Sequence, residues 1–284
     1  MTVFILYCMI ETARELRDFR LTKYRICSPK LNGIRGTKKI IFLSDLHNRM
    51  YGKENERLLK SIKNQHPDLI LIGGDMLVRK DGNSYDRTVR FLEKLPAICP
   101  VYCANGNHEQ KLKELPDKYE QSYEGYKKAL TACGIYMLEN ASETVRLDEA
   151  PVRISGLEIP LRAYARFGKK DLPLKEITDR IGEHGEEYQI LFAHHPGYIQ
   201  EYLEYGADLI LSGHYHGGVM QLPGIGGVIS PDFTLFPKYS GGIYREGTQT
   251  VVVSRGLGTH SVPVRLWNWP ELIVLELSGT SEEM

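Results

Sequence analysis

The sequence predicts an α/β fold. Apolar, β-branched runs alternate with segments of helical spacing through the first two thirds of the 284 residues. An apolar run at 39–43, a helical pattern at 53–65 and a second apolar run at 68–72 give the order of a βαβ unit. With 42% apolar and 25% charged residues, the composition is that of an ordinary globular chain, and one domain is the simplest organisation.

The same alternation continues along the chain. Helices are predicted at 85–95, 117–133 and 175–181, and strands at 98–103, near 145, and at 151–157, 188–192 and 208–211. After His216, short β segments with Gly and Pro punctuation follow, including 249–254 and 271–277. No repeat or linker forces a further boundary, so residues 39–278 are predicted to form the domain. Residues 1–38 then form an N-terminal helix and lead-in segment, and residues 279–284 a C-terminal tail.

The N-terminal segment is apolar over residues 3–10 but is followed at once by Glu11, Arg14 and Glu15. It is too short to span a bilayer and lacks a signal-peptide cleavage pattern. Its periodicity predicts an amphipathic helix that ends near Arg20. A peripheral membrane anchor is the alternative interpretation.

Charge and cysteine usage restrict the partners and the compartment. Thirty-six basic residues balance thirty-six acidic ones, so no global field attracts nucleic acid or an anionic membrane. The five cysteines are odd in number and lack zinc-type pairing, which indicates reduced thiols. A cytoplasmic location is therefore expected, with membrane association through the N-terminus as the alternative.

Polar side chains that can bind metals follow five of the predicted apolar strands. The carboxyl ends of neighbouring strands converge on one crevice in an open α/β sheet, so these groups can meet in space. Side-chain alternation along an extended segment predicts that Asp45 projects with His47, and His214 with His216. The five segments are Ser44-Asp45-Leu46-His47, Gly73-Gly74-Asp75, Asn105-Gly106-Asn107-His108-Glu109, Ala193-His194-His195-Pro196 and Ser212-Gly213-His214-Tyr215-His216.

Each segment alone has an ordinary structural explanation. An Asp at a strand end commonly caps a helix, and Gly-Asn-His is common turn chemistry. The pair His214 and His216 is the strongest single signal, because two imidazoles after a glycine are costly to bury without a partner. Together the five segments are specific, since capping alone gives no reason for ligand types after five successive strands.

In this order the segments resemble the calcineurin-like metallophosphoesterase family. Its signature is Asp-x-His, Gly-Asp, Gly-Asn-His-Asp/Glu, a His near the end of a later strand, and Gly-His-x-His. The resemblance runs from Lys39 to the C-terminus, and Leu222-Pro223-Gly224 and the 254–258 and 263–271 segments resemble a bacterial phosphodiesterase branch, some members of which are attached to the membrane or cell wall. It implies a four-layer α/β/β/α sandwich with two central mixed sheets. One departure is that apolar residues 76–78 follow Asp75, which predicts a more apolar edge to the site.

The resemblance implies a metal-dependent phosphohydrolase with a dinuclear centre. One metal takes Asp45, His47 and His216, and the other takes Asn107, His194 and His214. Asp75 bridges them, because each carboxylate oxygen offers a lone pair to a different cation. The two metals share a water or hydroxide, lower its pKa for attack, and clamp the phosphoryl oxygens. His108 donates a hydrogen bond or proton toward the phosphate or the leaving oxygen.

Three assignments stay open within this scheme. His194 aligns with the family ligand, which leaves its neighbour His195 as a supporting or surface residue. Arg255 and His260 either face the substrate or are ordinary surface residues. Nitrogen and oxygen ligands without a thiolate suit several metals, of which the resemblance favours manganese or iron over zinc or nickel.

The expected activity is hydrolysis of a phosphodiester or pyrophosphate bond in a small organic phosphate, either a nucleotide or a lipid-linked one. A metal-dependent nuclease is the first alternative, although the neutral net charge disfavours it. A non-catalytic interaction protein on the same fold is the second, and it has no need of the complete ligand set found here. Substrate specificity is expected from the loops at 49–52, 111–123, 160–171 and 223–244.

Overall fold

A computed structural model describes residues 2–79, 84–165, 168–222, 224–259 and 263–280. Two six-stranded sheets are its central feature, and a short hairpin lies apart from them. The strands are β1 (Arg20–Cys27), β2 (Lys38–Leu43), β3 (Leu69–Ile72), β4 (Val101–Ala104), β5 (Ile135–Leu138), β6 (Ala141–Leu147), β7 (Ala150–Leu157), β8 (Tyr188–Ala193), β9 (Leu209–Ser212), β10 (Gln221–Leu222), β11 (Gly226–Gly227), β12 (Gly242–Glu246), β13 (Gln249–Val253) and β14 (Glu271–Ser278). The helices are α1 (Thr2–Glu15), α2 (Glu56–Lys63), α3 (Asp86–Leu92), α4 (Asn107–Glu114), α5 (Tyr123–Ala132), α6 (Leu174–Ile181) and α7 (Ile199–Tyr205).

Both sheets are mixed, and each has a parallel centre. The first has the order β1-β14-β2-β3-β4-β5, in which only the β14–β2 pair is antiparallel. The second has the order β12-β13-β9-β8-β7-β6, and its antiparallel pairs are the outermost ones, β12–β13 and β6–β7. The helices that connect the parallel strands therefore cover the outer faces.

Alternation of apolar side chains explains why the two sheets stack. In β2, Ile40 and Phe42 point into the core between the sheets, whereas Ile41 and Leu43 point outward. The second sheet also contributes to the inner core, where Phe192 lies with its ring centroid 6.3 Å from that of Phe42. Strands that are apolar on both faces need cover on both sides, and this requires four layers.

The two outer layers complete the predicted architecture. Leu58 and Ile62 of α2, Phe91 of α3 and Tyr126 of α5 share the core on the outer face of the first sheet. Helices α6 and α7 share a third core with the outer face of the second sheet. The prediction of a four-layer α/β/β/α sandwich with two mixed sheets is confirmed.

The N-terminal segment differs from its prediction in one element. Helix α1 ends at Glu15, and strand β1 follows it and pairs in parallel with β14. The sequence did not reveal β1, because its Arg, Thr, Lys and Tyr side chains leave most of this edge strand partly or fully exposed. Part of the lead-in segment therefore belongs to the first sheet, and the boundaries at 38 and 278 stay predictions. Among the described residues, the helices are too short or too polar to cross a membrane.

Other differences concern short elements and helix starts. The predicted helix at 117–133 begins only at Tyr123, because Ser122 caps it by accepting a hydrogen bond from the Gly125 amide at 3.1 Å. Strand β5, with four residues, and helix α7, with seven, were too short to give a clear periodicity. Helix α4 is not predicted, because the Gly-Asn-His segment at its start is typical of a turn.

Candidate metal centre

The five polar segments lie at the carboxyl ends of five strands. Those that follow β2, β3 and β4 come from the first sheet, and those that follow β8 and β9 come from the second. Within the second sheet the Gly213 amide donates to the His194 carbonyl, and between the sheets the His214 amide donates to Oδ1 of Asp45, both at 3.0 Å. The predicted meeting of these segments is observed, and it involves both sheets.

The backbone reason given for the paired ligands is wrong. Asp45 and His47 have φ of 53° and 48°, and His214 and His216 have φ of 64° and 51°. These residues therefore lie in left-handed turns beyond the strands, and alternation along an extended segment does not apply. Asp75 has the same conformation, with φ of 52°. Non-glycine residues adopt it at a cost, and such strain is concentrated at functional sites.

Two glycines allow the buried carboxylates to approach the backbone closely. A Cβ atom at Gly106 would collide with Oδ1 of Asp75, and one at Gly213 would collide with Oδ2 of Asp45. Any larger residue at either position would therefore displace a carboxylate. Close backbone approach, and not turn geometry alone, explains why glycine precedes these ligands.

The candidate ligand atoms form three overlapping groups, and within each group they lie within 4.8 Å of one another. The Nε2 atoms of His47 and His216 are 3.0 Å apart, and Nε2 of His216 is 3.3 Å from Oδ1 of Asp45. On the other side, Nε2 of His194 is 3.2 Å from Oδ2 of Asp75. The groups are Asp45 with His47 and His216, Asp75 with His194 and His214, and His47 with Asp75 and His108.

Several atoms in this cluster have the orientation that a metal ligand needs. The Nδ1 atoms of His194 and His216 face the carbonyls of Gly73 at 2.8 Å and Gly258 at 3.2 Å, which leaves each Nε2 for a cation. The buried Oδ1 of Asn107 has no hydrogen-bond partner among the described residues, and Nε2 of His194 has the Asp75 carboxylate beside it. Buried polar atoms without partners are costly, so the side chains fit a bound cation.

The electrostatics of the cluster also favour positive charge. Burial raises the pKa of Asp45 to about 6. Burial opposes ionisation of Asp75 too, but His194 holds the pKa of Asp75 well below its usual value. Burial likewise disfavours the charged form of His194, yet the Asp75 and Asp45 carboxylates raise its pKa to about 10. Two buried carboxylates thus create a site that binds a proton strongly when no metal balances them.

Glu109 holds two of the segments together, a role that the sequence did not reveal. Its side chain accepts hydrogen bonds from the amides of Asp75 and Met76, both at 2.8 Å, and from the Gly106 amide at 3.0 Å. It therefore fixes the turn that carries Asp75 against the start of α4, where Asn107 lies. The only sequence signal was its place as the last residue of Gly-Asn-His-Glu.

A cavity of about 110 Å³ lies over the ligands. Its wall includes Arg79, which the sequence did not single out, and four residues from three of the loops expected to set specificity, namely Lys111, Tyr164, Pro231 and Asp232. The expectation of an apolar edge after Asp75 is wrong, because Met76 and Leu77 are buried in the core of the first sheet. The cavity wall instead carries the cationic side chains of Arg79 and Lys111 together with the carboxylate of Asp232.

The family model for calcineurin-like phosphoesterases matches residues 38–218. The chain belongs to this family. It is therefore a metal-dependent phosphoesterase, in a family whose members depend on divalent metals.

Relatives of this phosphoesterase extend over most of its length. The uncharacterized metallophosphoesterase YkuE of Bacillus subtilis (strain 168) is 30% identical over 248 residues, which cover 86% of this chain and 80% of YkuE. Phosphodiesterase YaeI of Escherichia coli (strain K12) is 26% identical, with 91% of this chain and 88% of YaeI covered. The crystal structure of phosphopantetheinyl hydrolase from Mycobacterium tuberculosis aligns with a TM-score of 0.47 and 13% identity, covering 79% of this chain and 90% of that one.

Two of the residues left open in the sequence have distinct places in this phosphoesterase. Arg255 forms an ion pair with Glu271 at 3.5 Å and lines a surface groove with Trp267, so it is not part of the wall of the metal cavity. His260 lies outside the described residues.

His194 and His195 have different surroundings. Nε2 of His194 faces Asp75, whereas Nδ1 of His195 accepts a hydrogen bond from the Gly197 amide at 3.0 Å. The His195 ring instead packs on the His214 ring, with centroids 4.6 Å apart. Burial lowers the pKa of His195 to about 3, so it is a neutral packing partner at physiological pH.

We expect His194→Ala to lose metal and His195→Ala to retain it. The first substitution removes a nitrogen that faces the buried carboxylates, and the second removes only a ring that packs behind His214. Elemental analysis of both purified variants checks this directly. The reverse pattern of metal content would make His195 the ligand.

Asn268 connects helix α1 to the turn that carries His216. Its Nδ2 donates to the carbonyls of His216, at 2.7 Å, and of Gly218. Its own amide donates to the buried carboxylate of Glu15 at 2.9 Å, at the end of α1. Helix α1 is thus connected through Asn268 to the turn that carries the proposed ligand His216.

Asn268→Ala is expected to weaken metal binding by about 10- to 100-fold, the usual effect of removing a partner that orients a ligand. Asn32→Ala is a matched control, because the Asn32 side chain accepts a hydrogen bond from the Thr280 amide. Neither residue belongs to one of the five ligand segments. Metal titration calorimetry on both variants gives the comparison. Equal metal affinities in Asn268→Ala and Asn32→Ala would show that this support is not needed.

Proposed function

We propose that this phosphoesterase uses two divalent metal ions to hydrolyse a phosphodiester or pyrophosphate bond in a small organic phosphate. The observation that carries the proposal is the buried cluster of imidazole, carboxylate and amide ligands around Asp75. One ion would be held by Asp45, His47 and His216, the other by Asn107, His194 and His214, and Asp75 would lie between them. Divalent ions in such a site supply Lewis acidity toward phosphoryl oxygens and a nucleophile from water at neutral pH.

The residues around the ligands support binding of a phosphoryl group. The side chains of Arg79 and Lys111 line the cavity, where their positive charge can bind the phosphoryl oxygens that take no part in bond cleavage. Asp75 itself is fixed by the His108 amide, which donates to its Oδ1 at 2.8 Å. A bridging carboxylate held in this way needs no reorganisation during the reaction.

His108 is proposed as the catalytic side chain, and its hydrogen bonding supports a particular role. Its Nδ1 accepts a hydrogen bond from the Arg79 amide at 3.1 Å, so the ring proton resides on Nε2. A neutral imidazole that gives up this proton becomes an unfavourable anion. We therefore infer that His108 donates a hydrogen bond to a phosphoryl oxygen and does not transfer its proton to the leaving group.

The metals are proposed to be manganese or iron, which the family resemblance favours, since nitrogen and oxygen donors without thiolate suit these metals as well as zinc or nickel. A nucleotide or lipid-linked phosphate is the proposed class of substrate, and nucleic acid remains disfavoured by the balanced charge. Cytoplasmic location and membrane contact through α1 stay predictions. The exposed side chains of Val3, Leu6 and Met9 are what supports the membrane contact.

Phosphodiesters are expected to be hydrolysed with about tenfold higher kcat/KM than monoesters of the same alcohol, a difference of about 1.4 kcal/mol. The similarity to the phosphodiesterase YaeI supports this expectation. The test is turnover of 4-nitrophenyl mono- and diesters by protein loaded with manganese. Absence of turnover on every ester would contradict the proposed function, whereas a consistent preference for monoesters would change it to phosphatase.

A further inference from the structure

The cavity over the ligands is too small for a whole organic phosphate. Its volume is about 110 Å³, whereas sites for small molecules usually measure about 300 to 1,000 Å³. The charged wall formed by Arg79, Lys111 and the ligand side chains suits the phosphoryl group alone. The organic part of the ester must therefore lie elsewhere.

A second cavity of about 360 Å³ adjoins the first. Asp232 lines both of them. The rings of His195 and His214, which are in contact at a tilt of 42°, connect them as well, since His195 lines the second cavity and His214 lines the first. A substrate with its phosphoryl group over the ligands can thus extend past Asp232 into the larger cavity.

Three tyrosines lie in the wall of the second cavity, among small and apolar residues such as Ala163 and Ile199. Tyr198, Tyr215 and Tyr239 all contribute to it. Their hydroxyls are already engaged, with the Ala163 carbonyl at 3.2 Å, the Asp232 carboxylate at 3.1 Å and the Glu246 carboxylate at 2.7 Å, respectively. With the hydroxyls occupied, these largely buried rings contribute apolar surface to the wall, while Lys169 and Lys238 lie over the rings of Tyr198 and Tyr239 at 5.0 and 4.7 Å.

The charges that the described residues place around this cavity argue against an anionic occupant. Lys169 is paired with Glu201 at 2.5 Å, and Lys238 is paired with Glu246 at 2.7 Å, so both ammonium groups are already balanced. The carboxylate of Asp232 lies at the junction with the metal cavity. A second phosphate or a carboxylate next to the reacting phosphorus would meet this negative charge.

We propose that the second cavity is the subsite for the organic group of the substrate, and that it selects an uncharged group containing a ring, such as an aryl group or a nucleoside. The proposal rests on the proposed function, because it takes the phosphoryl group to lie over the metal ligands. It narrows that function, since an uncharged organic group favours a phosphodiester over a pyrophosphate.

The test compares competitive inhibitors that share a phosphoryl group and differ in the attached group. Methyl phosphate, phenyl phosphate, thymidine 5′-monophosphate and phosphoglycolate are assayed against hydrolysis of methyl 4-nitrophenyl phosphate by the manganese-loaded enzyme. The phenyl and thymidine compounds are expected to bind about tenfold or more tightly than methyl phosphate. Phosphoglycolate, whose carboxylate would approach Asp232, is expected to gain nothing.

Two blocking variants, in which a bulky side chain fills the second cavity, test whether the preference for ring compounds arises there. Ala165→Trp and Thr234→Trp introduce a large ring at exposed positions that line the cavity from different loops. Both should abolish the preference for the ring compounds and leave inhibition by methyl phosphate unchanged. Leu235→Trp is the matched control, because Leu235 neighbours Thr234, is 64% exposed and is not part of the cavity wall.

Equal inhibition by methyl and phenyl phosphates in the wild-type enzyme would overturn the proposal, and so would a ring preference that survives in both blocking variants. Turnover of the nitrophenyl ester tests the proposed function separately. If no ester is hydrolysed, the same ratios can be measured by calorimetry on the metal-loaded protein, so the two failures remain distinguishable.

Discussion

Replacing Asp75 with alanine is expected to reduce phosphoester hydrolysis by more than about 10³-fold, because a lost metal clamp costs several kcal/mol of transition-state stabilisation. Oδ2 of Asp75 lies 3.2 Å from Nε2 of His194 and 3.8 Å from Nε2 of His47, which belong to the two proposed metal sites. This carboxylate alone is proposed to serve both, so its loss should lower the bound metal from two ions toward one or none.

Asp68→Asn is the matched control for this experiment. Asp68 immediately precedes the same strand, β3, and accepts a hydrogen bond from the Lys39 amide at 2.8 Å. It should retain metal and activity. Thermal unfolding of both variants in the presence of a chelator separates loss of metal from loss of fold. Two tightly bound metals in an active Asp75→Ala protein would contradict the bridging assignment.

The second large effect is expected for His108→Ala, which should lower kcat by about 10²- to 10³-fold, the usual effect of removing one hydrogen-bond donor from a developing charge. Metal content and thermal stability should change little, because Asn107 and not His108 is the proposed ligand. His108→Gln keeps an N–H donor and should recover part of the rate.

The dependence on the leaving group distinguishes the two roles that the sequence left open for His108. Because its Nδ1 accepts from the Arg79 amide, we expect similar losses for a nitrophenyl ester and for an alkyl ester. A much greater loss for the alkyl ester, which needs protonation of its leaving oxygen, would indicate general acid catalysis instead. Loss of metal in His108→Ala, or wild-type rates on every ester, would remove the catalytic role altogether.

Much of the fold was predictable because the central strands carry apolar side chains on both faces. The run Ile40-Ile41-Phe42-Leu43 can be stable only between two covered faces, so it indicates a buried strand without any knowledge of its neighbours. Strand β1 carries no such signal, because it lies at an edge and is held by pairing with β14, which comes some 250 residues later in the chain. Pairing between strands so distant in the sequence is visible only once the chain is folded.

The candidate site also has a part that the sequence predicts and a part that it does not. Asp45, His47 and the other proposed ligands were predictable because ligand types directly after apolar strands are unusual. The left-handed backbone at Asp45 and His214 was not, since neither residue type requires it. Asn268 could not have been found, because its contact with the His216 carbonyl joins residues that are 52 positions apart in the chain.

The central claim is that two metals held by this cluster carry out the hydrolysis. The most direct measurement is a titration of metal-free protein with manganese, in which metal content and turnover of a chromogenic phosphodiester are followed on the same samples. We predict that turnover rises only as the second equivalent binds, and that full activity requires two ions per chain. Full activity at one ion per chain, or turnover that persists in the metal-free protein, would contradict the claim.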